Sequence, residues 1–169
     1  MSNASSDENF VGDYLPALLA QASHLISTEF HLVVKAHGMT VSEWRVLSTL
    51  AGGKALTTTV LAEISLTKGP TATRLLHRLE ERELVQRLAD NSDRRVTLIR
   101  ITAKGQQTVS RLIRLAKEHE RRVLEPFGFQ DAEQLKTILR RLIQLHWREG
   151  DDSAEAEAWD RAAAAFPQT

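Results

Sequence analysis

Nine polar side chains between positions 68 and 95 have the types and spacing needed to grip a nucleic acid. Lys68, Thr71, Thr73, Arg74, His77 and Arg78 come first, and Asp93, Arg94 and Arg95 follow. Ammonium and guanidinium groups neutralise phosphate, whereas threonine, histidine and arginine also hydrogen-bond base edges in a major groove. Adjacent arginines at a tight turn suit the narrower minor groove, and Asp93 is placed to orient Arg95 by a charge-assisted hydrogen bond.

That chemistry needs a helix and a hairpin to carry it, and residues 61–105 contain both signals. Thr67 reads as a cap, followed by Lys68, Gly69 and Pro70 in a first turn that tolerates proline. At 100° per residue Ala72, Leu75, Leu76 and Leu79 share one side. Pro70, Thr73, Arg74, His77 and Glu81 lie roughly opposite, with Thr71 and Arg78 flanking. Leu84–Ala89 and Val96–Ile101 are rich in Val, Ile, Leu and Thr and enclose Asp90-Asn91-Ser92-Asp93, so the pair reads as a β-hairpin. A short helix capped by Thr57 and running through Val60, Leu61 and Ile64 supplies the first arm of a helix-turn-helix.

The flanking sequence is helical. Residues 1–12 are polar and read as a flexible terminus. Asp13 is a candidate cap with Pro16 in the first turn, and Leu15, Leu18, Leu19, Leu25, Ile26, Phe30, Val33 and Val34 recur at three and four until Gly38. Thr40-Val41-Ser42-Glu43 has the T-x-x-E form of a capping box and opens a helix that Gly52-Gly53 ends. Thr102 caps a further helix reaching Pro126. Phe127-Gly128-Phe129 breaks the chain, and a last amphipathic helix follows through Leu135, Ile138, Leu142 and Trp147. The expected division is a single domain over 13–149, with end helices at 13–38 and 103–147 around a winged lobe at 40–101. An acidic, alanine-rich arm covers 150–169. The end helices carry more apolar stripe than one small lobe needs, so a second copy of the chain is the expected partner.

Composition narrows the function. Hydrophobic residues make up 42% of the 169, enough for a packed core, and cysteine is absent, which excludes disulfides, thiolate metal sites and thiol redox switches. Net charge is zero, but residues 67–105 hold nine basic against five acidic side chains, whereas 151–169 hold one against five. A basic middle is therefore masked by acidic ends. No apolar run approaches the roughly 18 residues that span a bilayer, and the opening residues lack a basic and apolar signal region, so the reading is cytoplasmic, without a membrane partner. G-x-S-x-G, phosphate-binding glycine loops and H-E-x-x-H are missing. The chain reads as a non-enzyme without cofactor.

Four segments in register resemble the MarR family of winged-helix regulators. Thr40-Val41-Ser42-Glu43-Trp44-Arg45-Val46-Leu47 is similar to its second helix, and Leu61-Ala62-Glu63 with Lys68-Gly69-Pro70-Thr71-Ala72-Thr73-Arg74-Leu75-Leu76 to its recognition segment. Asp90-Asn91-Ser92-Asp93-Arg94-Arg95 matches its D-x-x-D-x-R wing, and Ile101-Thr102-Ala103-Lys104-Gly105 its strand-to-helix junction. The order and spacing hold from about residue 12 to 147. Glu83 departs from the pattern, standing where the family usually has glycine, and suggests a differently closed helix end. The resemblance implies a mainly α fold with a small β-hairpin wing, a homodimer interlocked through its end helices, and double-stranded DNA as partner. Two recognition helices related by a two-fold axis must meet major grooves about 34 Å apart, hence a pseudo-palindromic operator. It further implies a repressor that releases DNA when a small aromatic or anionic effector binds.

For that effector the resemblance places Trp44 and Arg45 near the binding cleft. An indole face and a guanidinium suit an aromatic carboxylate, although a tryptophan at helical spacing is more often core. His24 is a further candidate, since histidine can pair with an anion near neutral pH. His24 and His31 lie seven residues apart on one helix face, about 10 Å, too far to share a metal unaided. The sequence leaves two other readings open. One is a winged helix that binds a protein partner; the other is a metal-responsive regulator using the histidines.

Overall fold

The computed structural model describes residues 10–67, 69–89 and 96–148, the last three of these as backbone only. Lys68, Asp93, Arg94, Arg95 and the acidic arm beyond 149 lie outside the described residues. The chain divides into two compact units at Gly38 and Met39.

The first unit holds two helices, α1 (Phe10–Asp13) and α2 (Leu15–Ala36). Expectation and structure differ at the start. Phe10–Asp13 form a helical turn rather than a frayed end, and the cap of α2 is Tyr14, not Asp13, with no side-chain hydrogen bond. The rings of Phe10 and Tyr14 stack at 4.9 Å, which gives this turn an apolar reason to form. Pro16 sits in the first turn of α2, where a missing N–H costs nothing. At the far end His37 Nδ1–H donates to Val33 O at 2.8 Å, and Gly38 turns the chain at φ +72°. Phe30 and Val34 are buried, while Leu15, Leu18, Leu25, Ile26 and Leu32 are exposed.

The second unit begins with α3 (Val41–Leu50), opened by a complete capping box. Thr40 Oγ1 accepts from Glu43 N–H, and the Glu43 carboxylate accepts from Thr40 N–H. β1 (Leu56–Thr57) and α4 (Thr58–Ile64) follow, with Thr57 Oγ1 accepting from Val60 N–H. Then come α5 (Gly69–Glu81), β2 (Val85–Ala89) and β3 (Thr97–Ile101). The chain continues through α6 (Ala103–Leu124), a 3-10 turn at Glu125–Phe127 and α7 (Gly128–Arg148).

The expected hairpin is present, but it belongs to a three-stranded antiparallel sheet in the order β1-β3-β2. β1 pairs Leu56 with Ile99 and Thr57 with Leu98. Two residues are too short for a period-2 pattern, so this strand left no signature in the sequence. Leu47, Leu50, Leu61, Leu75, Leu79, Ile99 and Leu112 are almost wholly buried and form the core of this unit, each contributing about 1.5–3 kcal/mol. The fold is mainly α with a small β wing, as expected.

Candidate nucleic-acid interface

α5 divides as its periodicity requires. Ala72, Leu75, Leu76 and Leu79 are at most 2% exposed, whereas Pro70, Thr71, Thr73, Arg74, His77, Arg78 and Glu81 are all exposed. Burial of three leucines holds the inner face down, and the polar face is presented outward by exclusion. Among the described residues no hydrogen bond or ion pair engages the guanidinium of Arg74 or Arg78. A helix surface that keeps cations free of carboxylates suits phosphate, because an internal partner would have to be displaced before binding.

The C-terminal end of the same helix is built in the opposite way. Arg82 Nη1 donates to Glu43 Oε1 at 2.8 Å, Arg87 Nε to Glu80 Oε2 at 2.9 Å, and Lys104 Nζ to Glu83 Oε2 at 2.7 Å. Each of these three basic groups is committed within the protein. Glu83 N–H donates to Glu80 O and Leu84 N–H to Leu79 O, the paired pattern of a Schellman closure with Glu83 at its left-handed position, φ +60°. The expectation of a different closure is thus corrected. Glutamate occupies the glycine conformation because Thr102 donates from Oγ1 to Glu83 O at 2.7 Å and Lys104 holds the side chain. The turn before the recognition helix does the same with Leu66, at φ +53° and 78% exposed.

Gly105 explains how α6 reaches this junction. A Cβ there would stand 2.1 Å from Leu84 O and 2.8 Å from Ile101 Cγ1, so only glycine allows the approach. Leu84 O in turn accepts from Thr102 N–H at 3.1 Å, tying the end of α5 to the cap of α6.

β2 and β3 pair in register from Val85–Ile101 to Ala89–Thr97, the last described pair before residues 90–95. Asp93, Arg94 and Arg95 fall in that interval of the sequence, outside the described residues. On the strands, Gln86 and Arg100 lie directly opposite each other and are both exposed. Arg100 was legible as an outward position from the alternation Thr97-Leu98-Ile99-Arg100-Ile101, although the sequence reading did not single it out. The same reading missed Arg82, whose partner lies 39 residues away, beyond any local pattern.

The candidate effector residues fall in different units. His24 is exposed on α2, and Trp44 and Arg45 are half-buried on α3. A groove of about 420 Å³ at the α6–α7 elbow is lined by none of them. Lys117, Glu120, Arg121, Phe129, Glu133 and Lys136 line it instead. Lys136 bonds Glu120 and Glu133 there, and its pKa is raised: burial works against the charged form, but the two carboxylates outweigh it. Arg121 bonds Glu118. Arg121 and Lys136 are thus already matched by carboxylates, whereas Lys117 has no ion pair among the described residues. Among the described residues no three His, Asp or Glu side chains are grouped to hold a metal, and no helix is long and apolar enough to cross a membrane.

Comparison with known proteins agrees with this geometry. A family model described as MarR family matches residues 37–96. The homoprotocatechuate degradative operon repressor of Escherichia coli is 30% identical over 133 residues, covering 79% of this chain and 90% of the relative. A crystal structure of a MarR family transcriptional regulator from Silicibacter pomeroyi DSS-3 superposes with a TM-score of 0.70 at 38% identity, covering 80% of this chain and 97% of that one. The crystal structure of NadR in complex with 4-hydroxyphenylacetate gives a TM-score of 0.69 at 28% identity, covering 73% and 88%. A winged helix with a free basic recognition face, similar along most of its length to these regulators, belongs to the MarR family of DNA-binding transcriptional regulators.

Proposed function

We propose that the chain acts as a homodimeric repressor of a pseudo-palindromic operator and releases that operator when a small aromatic or anionic effector binds. The observation that carries the DNA-reading role is the split of α5. Its inner face is completely buried, and its outer face presents Thr71, Thr73, Arg74, His77 and Arg78 with both guanidinium groups free among the described residues. Lys68 precedes this face in sequence, and Asp93, Arg94 and Arg95, which lie between β2 and β3 in sequence, are assigned to the adjacent minor groove.

The dimer is supported by apolar surface on two helices, each considered alone. α2 exposes Leu15, Leu18, Leu25, Ile26 and Leu32, and α7 exposes Leu135, Ile138, Ile143 and Leu145. A monomer gains nothing from such stripes in water, whereas a second copy removes them from it. The effector class is supported by two of the similar proteins, one solved with 4-hydroxyphenylacetate and the other named for homoprotocatechuate degradation. Trp44 and Arg45 supply the aromatic and cationic groups for such a ligand; His24, on α2, is a separate candidate for pairing with an anion.

Selection of bound duplexes from a random pool tests the reading. The expected product is a two-fold symmetric consensus whose affinity falls steeply with salt and which 4-hydroxyphenylacetate releases. Recovery of no consensus, or of one without symmetry, overturns it and leaves a protein-binding winged helix in its place. The effector can weaken binding only by as much as it prefers the geometry that cannot bind DNA.

A further inference from the structure

The inner face of α5 fixes its distance from the core but not its tilt. Packing of Ala72, Leu75, Leu76 and Leu79 allows crossing angles that scatter by about 15–20°, so the tilt needs a further, directional constraint. Directional bonds hold its C-terminal end to the rest of the lobe. Glu43 is 6% exposed, and both of its carboxylate oxygens are engaged: Oε2 accepts from Thr40 N–H and Oε1 from Arg82 Nη1, each at 2.8 Å. One buried side chain therefore closes the N-terminus of α3 and holds Arg82, the first residue beyond α5.

We infer that Arg82 and Glu43 are positioning residues for DNA reading: the pair sets the tilt of α5 without touching DNA. The inference rests on the DNA-reading role proposed for α5. Leverage makes the pair consequential. The 13 residues of α5 extend about 18 Å at 1.5 Å per residue, so a tilt of about 10° at the C-terminal end moves Pro70 and Thr71 by about 3 Å. Hydrogen bonds to base edges tolerate a few tenths of an ångström. Arg82 is itself about half exposed, and its charge is directed at a buried acceptor rather than at solvent. In this it differs from Arg74 and Arg78.

Phosphate contact and positioning predict different losses, so measurement separates them. Arg82→Met keeps the stem and removes the charge, Arg82→Lys keeps a cation, and Glu43→Gln keeps an acceptor for Thr40. Each is titrated against a duplex selected by the wild-type protein and against a random duplex, over a range of salt, with thermal unfolding confirming the folded state. Arg82→Met and Glu43→Gln are expected to weaken the selected duplex about tenfold, the size of one lost base contact. Random-duplex affinity and its salt slope stay unchanged, Arg82→Lys recovers most of the loss, and the double variant is no worse than either single one. Equal loss on both duplexes, with a salt slope flatter by about one unit, assigns Arg82 to a phosphate and overturns the inference. Unchanged affinity for the selected duplex also overturns it. Where Arg82→Met does not fold, full selectivity retained in Glu43→Gln does the same. A wild-type protein that selects no duplex removes the DNA-reading role itself, and the inference with it.

Discussion

Glu83 accepts from Lys104 Nζ at 2.7 Å while its own backbone stands at φ +60°, so the residue that ends the recognition helix is strained along the chain and held by its side chain. A left-handed residue with a Cβ costs about 1–2 kcal/mol, and glycine removes that cost at the expense of greater freedom in the unfolded chain. Leu66 at the preceding turn carries the same strain with a side chain 78% exposed. Leu66→Gly is therefore expected to raise the melting temperature on the order of 2 °C. Glu83→Gly should raise it less, because it also loses an ion pair, though an exposed one worth little. Differential scanning calorimetry checks both, and a fall in melting temperature for Leu66→Gly would contradict the strain argument.

The same ion pair gives stability a pH dependence of known sign. The hydrogen bond and charge of Lys104 hold the Glu83 carboxyl below its ordinary value of 4.5, and Arg121 does the same for Glu118. A carboxyl depressed in the folded state stabilises fully above its unfolded pKa, and the gain disappears as pH falls through the folded value. Stability should thus be flat from these groups above about pH 5 and decline on acidification below 4.5. Glu83→Gln is expected to make the decline shallower by a small amount, since the group is fully exposed, and salt should erase the difference. Urea denaturation at pH 7 and pH 3.5 measures it. A steeper decline in Glu83→Gln would reverse the sign.

How much of this was legible in the chain depended on distance along it. The capping box at Thr40 and Glu43, the caps at Thr57 and Thr102, and the two faces of α5 were readable because each is decided within a few residues. The pairing of Arg82 with Glu43 and the strand at Leu56–Thr57 were not, because both depend on partners that only the fold brings near. Glu83 lies between these cases. The sequence marked the position as one where glycine belongs, and three-dimensional contacts with Thr102 and Lys104 decided that glutamate adopts the same conformation.

Gly105 provides a stricter test of the junction. A methyl group there would overlap the Leu84 carbonyl and press on Ile101, and that carbonyl cannot move without stretching its bond from Thr102 N–H. Overpacking at such a point costs about 1–3 kcal/mol. Gly105→Ala is expected near the top of that range, even though alanine is the better helix former by about 1 kcal/mol. Chemical denaturation gives the value, and a variant as stable as the parent would show that α6 can withdraw from Leu84 freely.

Substitution of Arg45 tests the proposed effector binding apart from DNA binding. It is half-buried on α3, outside the face presented by α5. In a site for an aromatic carboxylate its loss removes a charge-assisted bond worth about 1.5–3 kcal/mol. Arg45→Ala is expected to raise the 4-hydroxyphenylacetate concentration needed for release at least about tenfold, with duplex affinity in its absence unchanged. Fluorescence anisotropy of a labelled duplex reads both. Equal release by the parent and the variant would remove Arg45 from the effector site.

Arg74 and Arg87 test the division of labour among the arginines. Arg74 is exposed on the outer face of α5 with no partner among the described residues, whereas Arg87 on β2 donates to Glu80 at 2.9 Å. If free cations bind DNA and paired ones hold the lobe together, the two alanine substitutions act on different measurements. Arg74→Ala should weaken duplex binding. The loss takes the form of a salt slope flatter by about one unit if Arg74 meets a phosphate, or of about 1–3 kcal/mol at one base pair if it reads a base. Arg87→Ala should leave binding within about twofold and lower stability by less than about 1 kcal/mol, as for other half-exposed ion pairs. A large binding loss from Arg87→Ala combined with none from Arg74→Ala would place the DNA surface on the strands rather than on α5.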